Sequence, residues 1–176
     1  LQSALDADPE YLDKMRHNTA ELKREGLICF ATADNFSGEK TYLSQVNGGC
    51  FDALAMNFNF ADTGACQNVL PEAHTNGMAV ITREVFQKGR LFKMGEETGI
   101  TDRNLLSRVA LKWNLSTPEV TTALVGADHT AHLENSLSVI TNPQLTEEEN
   151  DILEKLRTSP TYIDYSNSRI ERFMGE

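Results

Sequence analysis

Four short apolar segments, each followed by a stretch with helical periodicity, constrain the fold of this chain more than any other feature of its sequence. They span residues 27–33, 52–57, 78–83 and 121–125. Strands that alternate with helices predict a parallel sheet with helices packed outside it. Right-handed crossovers curl such a sheet in one direction, which leaves either an open doubly wound sheet or part of a barrel. The short strands of mixed polarity favour the barrel, and four strands make half of an eight-stranded (β/α)8 barrel.

The predicted helices are located by their apolar spacing and by their cap residues. They run from Pro9 to Gly26, from Ser37 to Gly48, from Gly64 to Asn76 with a kink at Pro71, from Arg103 to Trp113, from Thr130 to Ile140, and onward from the capping box Thr146–Glu149. Residues 84–101 are predicted to form a long loop, and loops of that length tend to be functional. Residues 159–176 are predicted to form a C-terminal tail, extended with a short helical end.

Composition indicates one partial domain over residues 1–176 and excludes several classes of partner. Hydrophobic residues make up 40% of the chain, which excludes wholesale disorder. The net charge of −10 disfavours nucleic acid and anionic membranes, because both need a basic surface. No apolar run approaches the eighteen or so residues that cross a bilayer. Three cysteines without a C-x-x-C pair predict reduced thiols in the cytoplasm.

Half a barrel leaves its first and fourth strands as unpaired edges and its inward face uncovered. Unpaired edges invite association, and each exposed apolar side chain forfeits roughly 1.5–3 kcal/mol of burial. We therefore expect the chain to be a piece of a longer protein, to pair with a separate first half, or to pair with a second copy of itself. The chain opens with Leu1 rather than Met, so its start is expected to be a cut or processing point.

Five motifs resemble, in order, motifs of the aldo-keto reductases, and the resemblance covers roughly residues 10–157. Residues 26–37 and 51–59 are similar to the fifth and sixth strands with their polar endings, and residues 68–71 with 77–81 to the helix and strand that follow. Residues 86–91 resemble the next loop, and residues 125–127 with 132–136 resemble the eighth strand and its phosphate-binding helix. The resemblance implies a TIM barrel of which this chain holds strands five to eight, plus a C-terminal helix and tail.

The chemistry that the resemblance implies is reduction of a small carbonyl compound by hydride from NADP or NAD. In that family a Tyr delivers the proton, assisted by Lys, Asp and His, and all four lie in the first half of the barrel. None has a counterpart here, and the reaction needs an acid to protonate the nascent alkoxide. We therefore predict no catalytic residue in this chain and no activity of the chain alone. The alternative is a non-enzymatic half-barrel, an inactive relative that pairs with itself or with another half.

The resemblance assigns two residues to the nicotinamide end of the cofactor. Asn35 matches the carboxamide-binding Asn of the family, although an Asn often simply turns the chain. Arg83 stands where many members carry an aromatic residue that stacks on the nicotinamide, and a guanidinium plane can stack too. The alternative for Arg83 is an ion pair with Glu84 or with another carboxylate of the barrel. Ala55 stands where the family often has a Gln, so that contact is missing.

The phosphate end is assigned to two further segments. Lys88, Arg90 and Lys93 form a basic cluster in the long loop of an acidic chain, where a pyrophosphate would gain from the charge and from free N–H groups near Gly89. The alternative is an ordinary solvated loop. Gly126 and Ala127 precede a helix whose N-terminus could bind phosphate, and His132 and Asn135 lie in that helix.

The same helix leaves the choice of cofactor open. The family adds a basic residue here for the 2′-phosphate of NADP, where this chain has Asp128, His129 and His132. NADP and NAD therefore both remain possible. The two histidines are three residues apart, but no cysteine or carboxylate completes a recognisable ligand pattern, so no metal site is predicted.

Overall fold

The computed structural model describes residues 9–34 and 38–175, which form one parallel sheet with helices against one face. Four strands pair in the order β1-β2-β3-β4, all parallel. They are β1 (Thr32–Asp34), β2 (Ala53–Asn57), β3 (Ala79–Arg83) and β4 (Thr122–Ala123). The helices are α1 (Pro9–Arg24), α2 (Glu39–Asn47), α3 (Val69–Thr75), α4 (Arg90–Thr98), α5 (Arg103–Leu115), α6 (Thr130–Leu137), α7 (Glu147–Arg157) and α8 (Pro160–Met174), with 3-10 turns at Gly64–Cys66, Gln87–Gly89 and Ser138–Thr141. The predicted half-barrel architecture is confirmed.

The core lies between the sheet and the helices. Successive residues of a strand point to opposite faces, and one alternate set is buried against α2 and α3. Its main members are Ala33, Leu54, Met56, Phe58 and Val80 on the sheet side, and Tyr42, Val46, Val69 and Leu70 on the helix side. A second cluster joins α4, α5 and α7 through residues such as Leu91, Met94, Leu106, Val109 and Leu156. In the described ranges, no helix is both long and apolar enough to cross a bilayer.

The opposite face of the sheet carries mostly small and polar side chains, with Ile81 as the bulky apolar exception in these rows. The strand register aligns Thr32 with Ala53 and Ala79, Asp34 with Ala55 and Ile81, and Asn57 with Arg83. We expected bulky apolar residues on this face, whose exposure would be costly. These rows hold fewer bulky apolar residues than expected: Ile81 is half-buried, while Ala53 and Ala55 are small and already buried within the chain.

Large apolar side chains are exposed at the two edges of the sheet instead. Beside β1, Leu27 and Phe30 are 67% and 76% exposed. Beside β4, Leu124 and Ile140 are 56% and 67% exposed. Each edge therefore carries the apolar surface that a neighbouring strand or a partner would cover, and association through these edges stays a prediction.

Both edge strands are shorter than predicted. Residues 27–31 lie outside β1, and β4 is reduced to Thr122–Ala123. Each of these strands has a neighbour on one side only. Because an edge strand lacks ladder hydrogen bonds along its other side, its pairing ends sooner than that of β2 and β3.

The segment 84–101, predicted as a loop, contains helix α4. The helix buries Leu91 and Met94 completely and ends at Gly99. Gly95 lies inside it at a close approach, where an added Cβ would be 2.4 Å from the Ile100 carbonyl oxygen and 2.5 Å from Leu106 Cδ1. Gly99 instead caps the C-terminus of the helix, and Gly95 allows a close packing contact inside it. The loop prediction is therefore wrong.

The segment 159–176, predicted as an extended tail, is mostly helix α8. The Ser159 hydroxyl oxygen accepts a hydrogen bond from the Tyr162 N–H at 3.0 Å, and Pro160 is the first helical residue. The helix buries Tyr165 and Phe173 against the rest of the chain. The tail prediction is wrong, because Tyr165 and Phe173 in this polar segment are buried and hold it against the rest of the chain as a helix.

Two predictions about helix starts have opposite outcomes. The capping box is confirmed, since the Thr146 hydroxyl accepts from the Glu149 N–H while the Glu149 carboxylate accepts from the Thr146 N–H. The predicted kink at Pro71 is wrong. Helix α3 begins at Val69, so Pro71 lies in the first turn, where a missing N–H costs no helical hydrogen bond.

Candidate functional site

Two cavities lie at the carboxyl ends of the strands, on either side of the segment that follows β3. The first cavity has a volume of about 230 Å³ and is enclosed by that segment, α4, the start of α5 and α6. Its lining includes Gly126, His132 and Asn135, which the sequence assigns to the cofactor. These three residues belong to one motif of the sequence, the fourth strand and the helix after it, and they lie on one wall of the cavity.

Aromatic rings and a guanidinium form the other wall of the first cavity. The ring centroids of Phe86 and Phe92 are 6.4 Å apart. The Arg103 guanidinium lies 5.0 Å from the centroid of the Phe92 ring, and its Nη2 is 3.5 Å from the Glu96 carboxylate. This wall therefore offers an apolar face and a positive charge, neither of which the sequence analysis assigned to a site.

The side chain of Asn135 is already engaged. Its Oδ1 accepts a hydrogen bond from Arg108 at 2.7 Å, and its Nδ2 donates to the Asn104 carbonyl oxygen at 3.1 Å. Asn135 therefore ties α6 to α5 and shapes the wall of the first cavity.

The N-terminus of α6 is open to solvent. Gly126, Ala127, His129 and His132 are exposed, and an added Cβ at Gly126 would meet no atom within 4 Å. His129, the residue before the helix, makes no side-chain cap. Asp128 lines the cavity beside them, so a carboxylate lies close to the positive end of the helix dipole. Within residues 9–34 and 38–175, no group of three or more His, Cys, Asp or Glu side chains is placed to hold a metal ion.

The second cavity, of about 430 Å³, lies between the ends of β2 and β3 and helix α8. Lys88 and Arg90, predicted to bind pyrophosphate, line this cavity and not the first. The other lining residues are Asn57, Glu84, Tyr165, Ser168, Arg169 and Arg172. The sequence does not predict the α8 residues as part of a site, because residues 159–176 are typical of a tail. The spacing of Tyr165, Arg169 and Arg172, on one face of a helix, could have signalled them.

The turn that carries Lys88 has an unusual backbone. Glu84, Gln87 and Lys88 have φ values of 57°, 53° and 55°, in the left-handed region that non-glycine residues rarely adopt. The Gly89 N–H donates to the Phe86 carbonyl at 2.9 Å, and the Arg90 N–H donates to the Gln87 carbonyl. The prediction of free N–H groups near Gly89 is therefore wrong for these two, because the turn uses them itself.

Arg83 lies at the end of β3 and pairs with the Asp34 carboxylate of β1. The pair spans β2 on the inward face, and the small Ala55, aligned with Asp34, leaves room for it. This geometry matches the alternative reading of Arg83 as an ion pair, with Asp34 rather than Glu84 as the partner. Asn35 lies outside the described residues.

Comparisons with known proteins bear on the fold. No protein-family profile and no curated protein matches the chain. The holo form of the aldo-keto reductase AKR11C1 from Bacillus halodurans matches with a TM-score of 0.64 and 22% identity, over 85% of this chain and 54% of that one. Its apo form matches with a TM-score of 0.62 and 22% identity, over 85% and 58%. The thermostable aldo-keto reductase Tm1743 in complex with the inhibitor epalrestat gives 0.60 and 22%, over 85% and 56%.

The chain spans a little more than half the length of these solved structures. It aligns over 85% of its own length in each case. The resemblance to aldo-keto reductases is thus confirmed at the level of the fold. This chain has the fold of about half of an aldo-keto reductase barrel.

Proposed function

We propose that the chain is the cofactor-side half of a barrel that reduces a small carbonyl compound with NADPH or NADH. The observation that carries the proposal is the first cavity, where Gly126, His132 and Asn135 meet the segment after β3. In barrel enzymes, ligands bind at this carboxyl-terminal face of the strands. The likeness to aldo-keto reductase structures supports the same reading.

The lining of the first cavity fits one end of a dinucleotide. Phe86 and Phe92 offer ring faces to a base, and Arg103 offers a cation to a phosphate. A volume of about 230 Å³ lies below the roughly 300–1,000 Å³ of ordinary ligand pockets, so the cavity would hold part of the cofactor. Asp128 opposes a phosphate on the same wall, and the proposal therefore covers NADPH and NADH alike.

The chain's own part in the reaction would be to bind and orient. A nicotinamide cofactor, when bound, would supply hydride to the carbonyl carbon. Arg83, paired with Asp34 at the carboxyl end of β3, would contact the nicotinamide ring. The role of Asn35 in holding the carboxamide is proposed on the resemblance alone. A phosphate group of the cofactor would bind at the N-terminus of α6, beside Gly126 and Ala127. The proton for the nascent alkoxide would come from the complementary half, since no catalytic residue is proposed in this chain.

Complementation tests this function. The chain is coexpressed with strands one to four of the Bacillus halodurans aldo-keto reductase, and the purified pair is titrated with NADPH and assayed with a panel of aldehydes. We expect cofactor binding and aldehyde-dependent oxidation of NADPH by the pair, with weak or absent binding and no turnover by the chain alone. Turnover by the chain alone would contradict the proposal, as would a stable pair that binds neither NADPH nor NADH.

The variant Phe86→Ala, made in the complemented pair, tests whether the first cavity binds the cofactor. Loss of a stacking face typically weakens binding by about tenfold. Phe51→Ala is a matched control, because Phe51 is a half-buried ring that packs against the core rather than lining the first cavity. An equal loss of NADPH affinity in both variants would indicate a general effect on stability and would remove the support for this cavity.

The second candidate function is a non-enzymatic half-barrel that associates with itself. The exposed apolar residues at both edges, Phe30 beside β1 and Leu124 beside β4, favour it. Two copies related by a two-fold axis could join the β1 edge of each to the β4 edge of the other, and so close eight strands. A stable dimer of the chain that binds no nicotinamide cofactor, even with a complementary half present, would favour this candidate.

A further inference from the structure

We infer that the second cavity binds the carboxylate or phosphate group of a small anionic ligand other than the nicotinamide cofactor. Its lining carries four cations, Lys88, Arg90, Arg169 and Arg172, against the single carboxylate of Glu84. The whole chain has a net charge of −10. A concentration of positive charge in an acidic protein attracts anions locally, and a concave site strengthens that effect.

Ion pairs fix two of these cations without cancelling the charge of the site. Arg169 Nε lies 2.7 Å from the Asp62 carboxylate, which is buried behind the cavity. Lys88 Nζ lies 2.9 Å from the Glu84 carboxylate. Among the described residues, Arg90 has no carboxylate within 4.0 Å; its guanidinium lies 5.2 Å from the centroid of the Tyr165 ring. Arg90 is therefore held in position while its charge remains available to a ligand.

Two buried polar side chains, Asn57 and Tyr165, lie on the same wall. Asn57 is 7% exposed and Tyr165 is 9% exposed, and Asn57 Oδ1 has no hydrogen-bond partner among the described residues. Because Oδ1 only accepts hydrogen bonds, an anion would bond instead to the Asn57 Nδ2–H group or to the Tyr165 hydroxyl.

The Tyr165 hydroxyl can act as a donor to that anion. Burial raises the pKa of Tyr165, and a side-chain hydrogen bond with Asn59 lowers it by less. The hydroxyl therefore stays protonated at neutral pH. Ser168, one helical turn further along α8, adds a second hydroxyl to the same wall.

The backbone of the turn after β3 directs its basic side chains towards α8. Left-handed conformations at Glu84, Gln87 and Lys88 are strained for residues other than glycine, and such strain tends to persist at functional sites. The turn separates the two cavities, which have no lining residue in common. We therefore expect an anion in the second cavity to be a different molecule from the cofactor. This inference does not depend on the proposed reductase function.

The test is titration of the purified chain with inorganic phosphate, and separately with succinate, in low-salt buffer by isothermal calorimetry. We expect saturable binding of at least one of the two at one site per chain. The double variant Lys88→Gln with Arg90→Gln should bind about tenfold or more weakly, because a hydrogen bond to a charged group contributes about 1.5–3 kcal/mol. Tyr165→Phe should bind several-fold more weakly. If the double variant fails to fold, Lys88→Gln alone, whose side chain is 68% exposed, takes its place.

The control removes two cations elsewhere. Lys93 and Lys155 are exposed and lie outside the second cavity, so Lys93→Gln with Lys155→Gln should change the affinity by less than about twofold. Absence of saturable binding of either anion, or equal weakening in the control, would overturn the inference. The competition with NADPH uses the pair with the complementary half, which is expected to bind the cofactor. Loss of anion binding by that pair in saturating NADPH would assign the cavity to the cofactor and would also overturn the inference, whereas unchanged affinity supports a separate ligand.

Discussion

At the scale of single residues, Asn114 joins three elements that form the mouth of the sheet. Its Nδ2 donates to the Phe58 carbonyl oxygen at 2.7 Å, and its Oδ1 accepts from the Thr82 hydroxyl at 2.6 Å. Asn114 is completely buried on α5, while Phe58 follows β2 and Thr82 lies in β3. Because the groups around it have no access to water, the side chain fixes the position of α5 against the sheet.

We expect Asn114→Ala to lower the free energy of unfolding by about 2–4 kcal/mol, since it leaves a buried carbonyl and a buried hydroxyl with fewer partners. Urea denaturation of the two proteins measures the change. Asn104→Ala is the control, because Asn104 is an exposed residue of the same helix and should change stability by less than about 0.5 kcal/mol. Equal effects of the two substitutions would contradict the role given to Asn114.

Gln87 presents the opposite case, a buried polar residue that no described group satisfies. Neither its Oε1 nor its Nε2 has a hydrogen-bond partner, and the residue is completely buried. We expect Gln87→Met, which keeps the volume and removes the polar atoms, to raise the free energy of unfolding by about 1–2 kcal/mol. Urea midpoints measure it. A loss of stability would mean that a bound water molecule or ligand satisfies Gln87 in solution.

At the scale of elements, one ion pair holds α7 against α5. Lys112 Nζ lies 2.8 Å and 2.9 Å from the two carboxylate oxygens of Glu149, and both side chains are largely buried. Burial acts to raise the pKa of Glu149, but hydrogen bonds from Lys112 and from the Thr146 N–H outweigh it, so that the pKa is lowered. Glu149 is therefore both the reciprocal partner in the cap of α7 and the anchor of that helix on its neighbour.

The sign of the pH effect follows from the lowered pKa of Glu149. Its contribution to stability is complete above the ordinary Glu range, about pH 4.3, and is lost as the pH falls through the lower pKa of the folded state. Glu149→Gln should therefore be less stable than the parent chain at neutral pH, and the difference should shrink in acid. Urea midpoints over this range measure it, with Glu147→Gln, in the same turn, as the control. A difference that stays constant or grows in acid would contradict the assignment.

The sequence predicts some elements of this fold well and others not at all, for local physical reasons. Helices α5 and α7 are found because apolar periodicity and a cap occur together in each. Helix α4 is missed because Gly89, Gly95 and Gly99 read as loop signals, although Gly95 serves a close contact. Helix α8 is missed because only two of its side chains are deeply buried.

The two cavities also differ in how far the sequence predicts them. Gly126, His132 and Asn135 are close in sequence and belong to recognisable motifs, so the wall of the first cavity could be predicted. The second cavity joins Asn57 to Tyr165 and Arg169, more than a hundred residues along the chain, and only the docking of α8 brings them together. No local pattern carries that information.

At the scale of the whole molecule, the described structure is a sheet with one covered face and two apolar edges. The uncovered face is mostly small and polar apart from Ile81, so its exposure costs less than a layer of bulky apolar residues would. The edges are different, because Phe30 and Leu124 each expose more than half of a large apolar side chain. Burying such a side chain contributes roughly 1.5–3 kcal/mol. The drive to associate should therefore reside in the edges rather than in the inward face.

Sedimentation velocity of the purified chain over a wide concentration range tests this account most directly. We predict a species heavier than the 19.6 kDa chain, which dissociates to single chains when Phe30→Asp and Leu124→Asp place charges on both edges. Lys40→Asp with Lys155→Asp, two exposed positions away from the edges, should leave the mass unchanged. A species of 19.6 kDa at every concentration, with a cooperative unfolding transition, would contradict the claim that this half-barrel requires a partner.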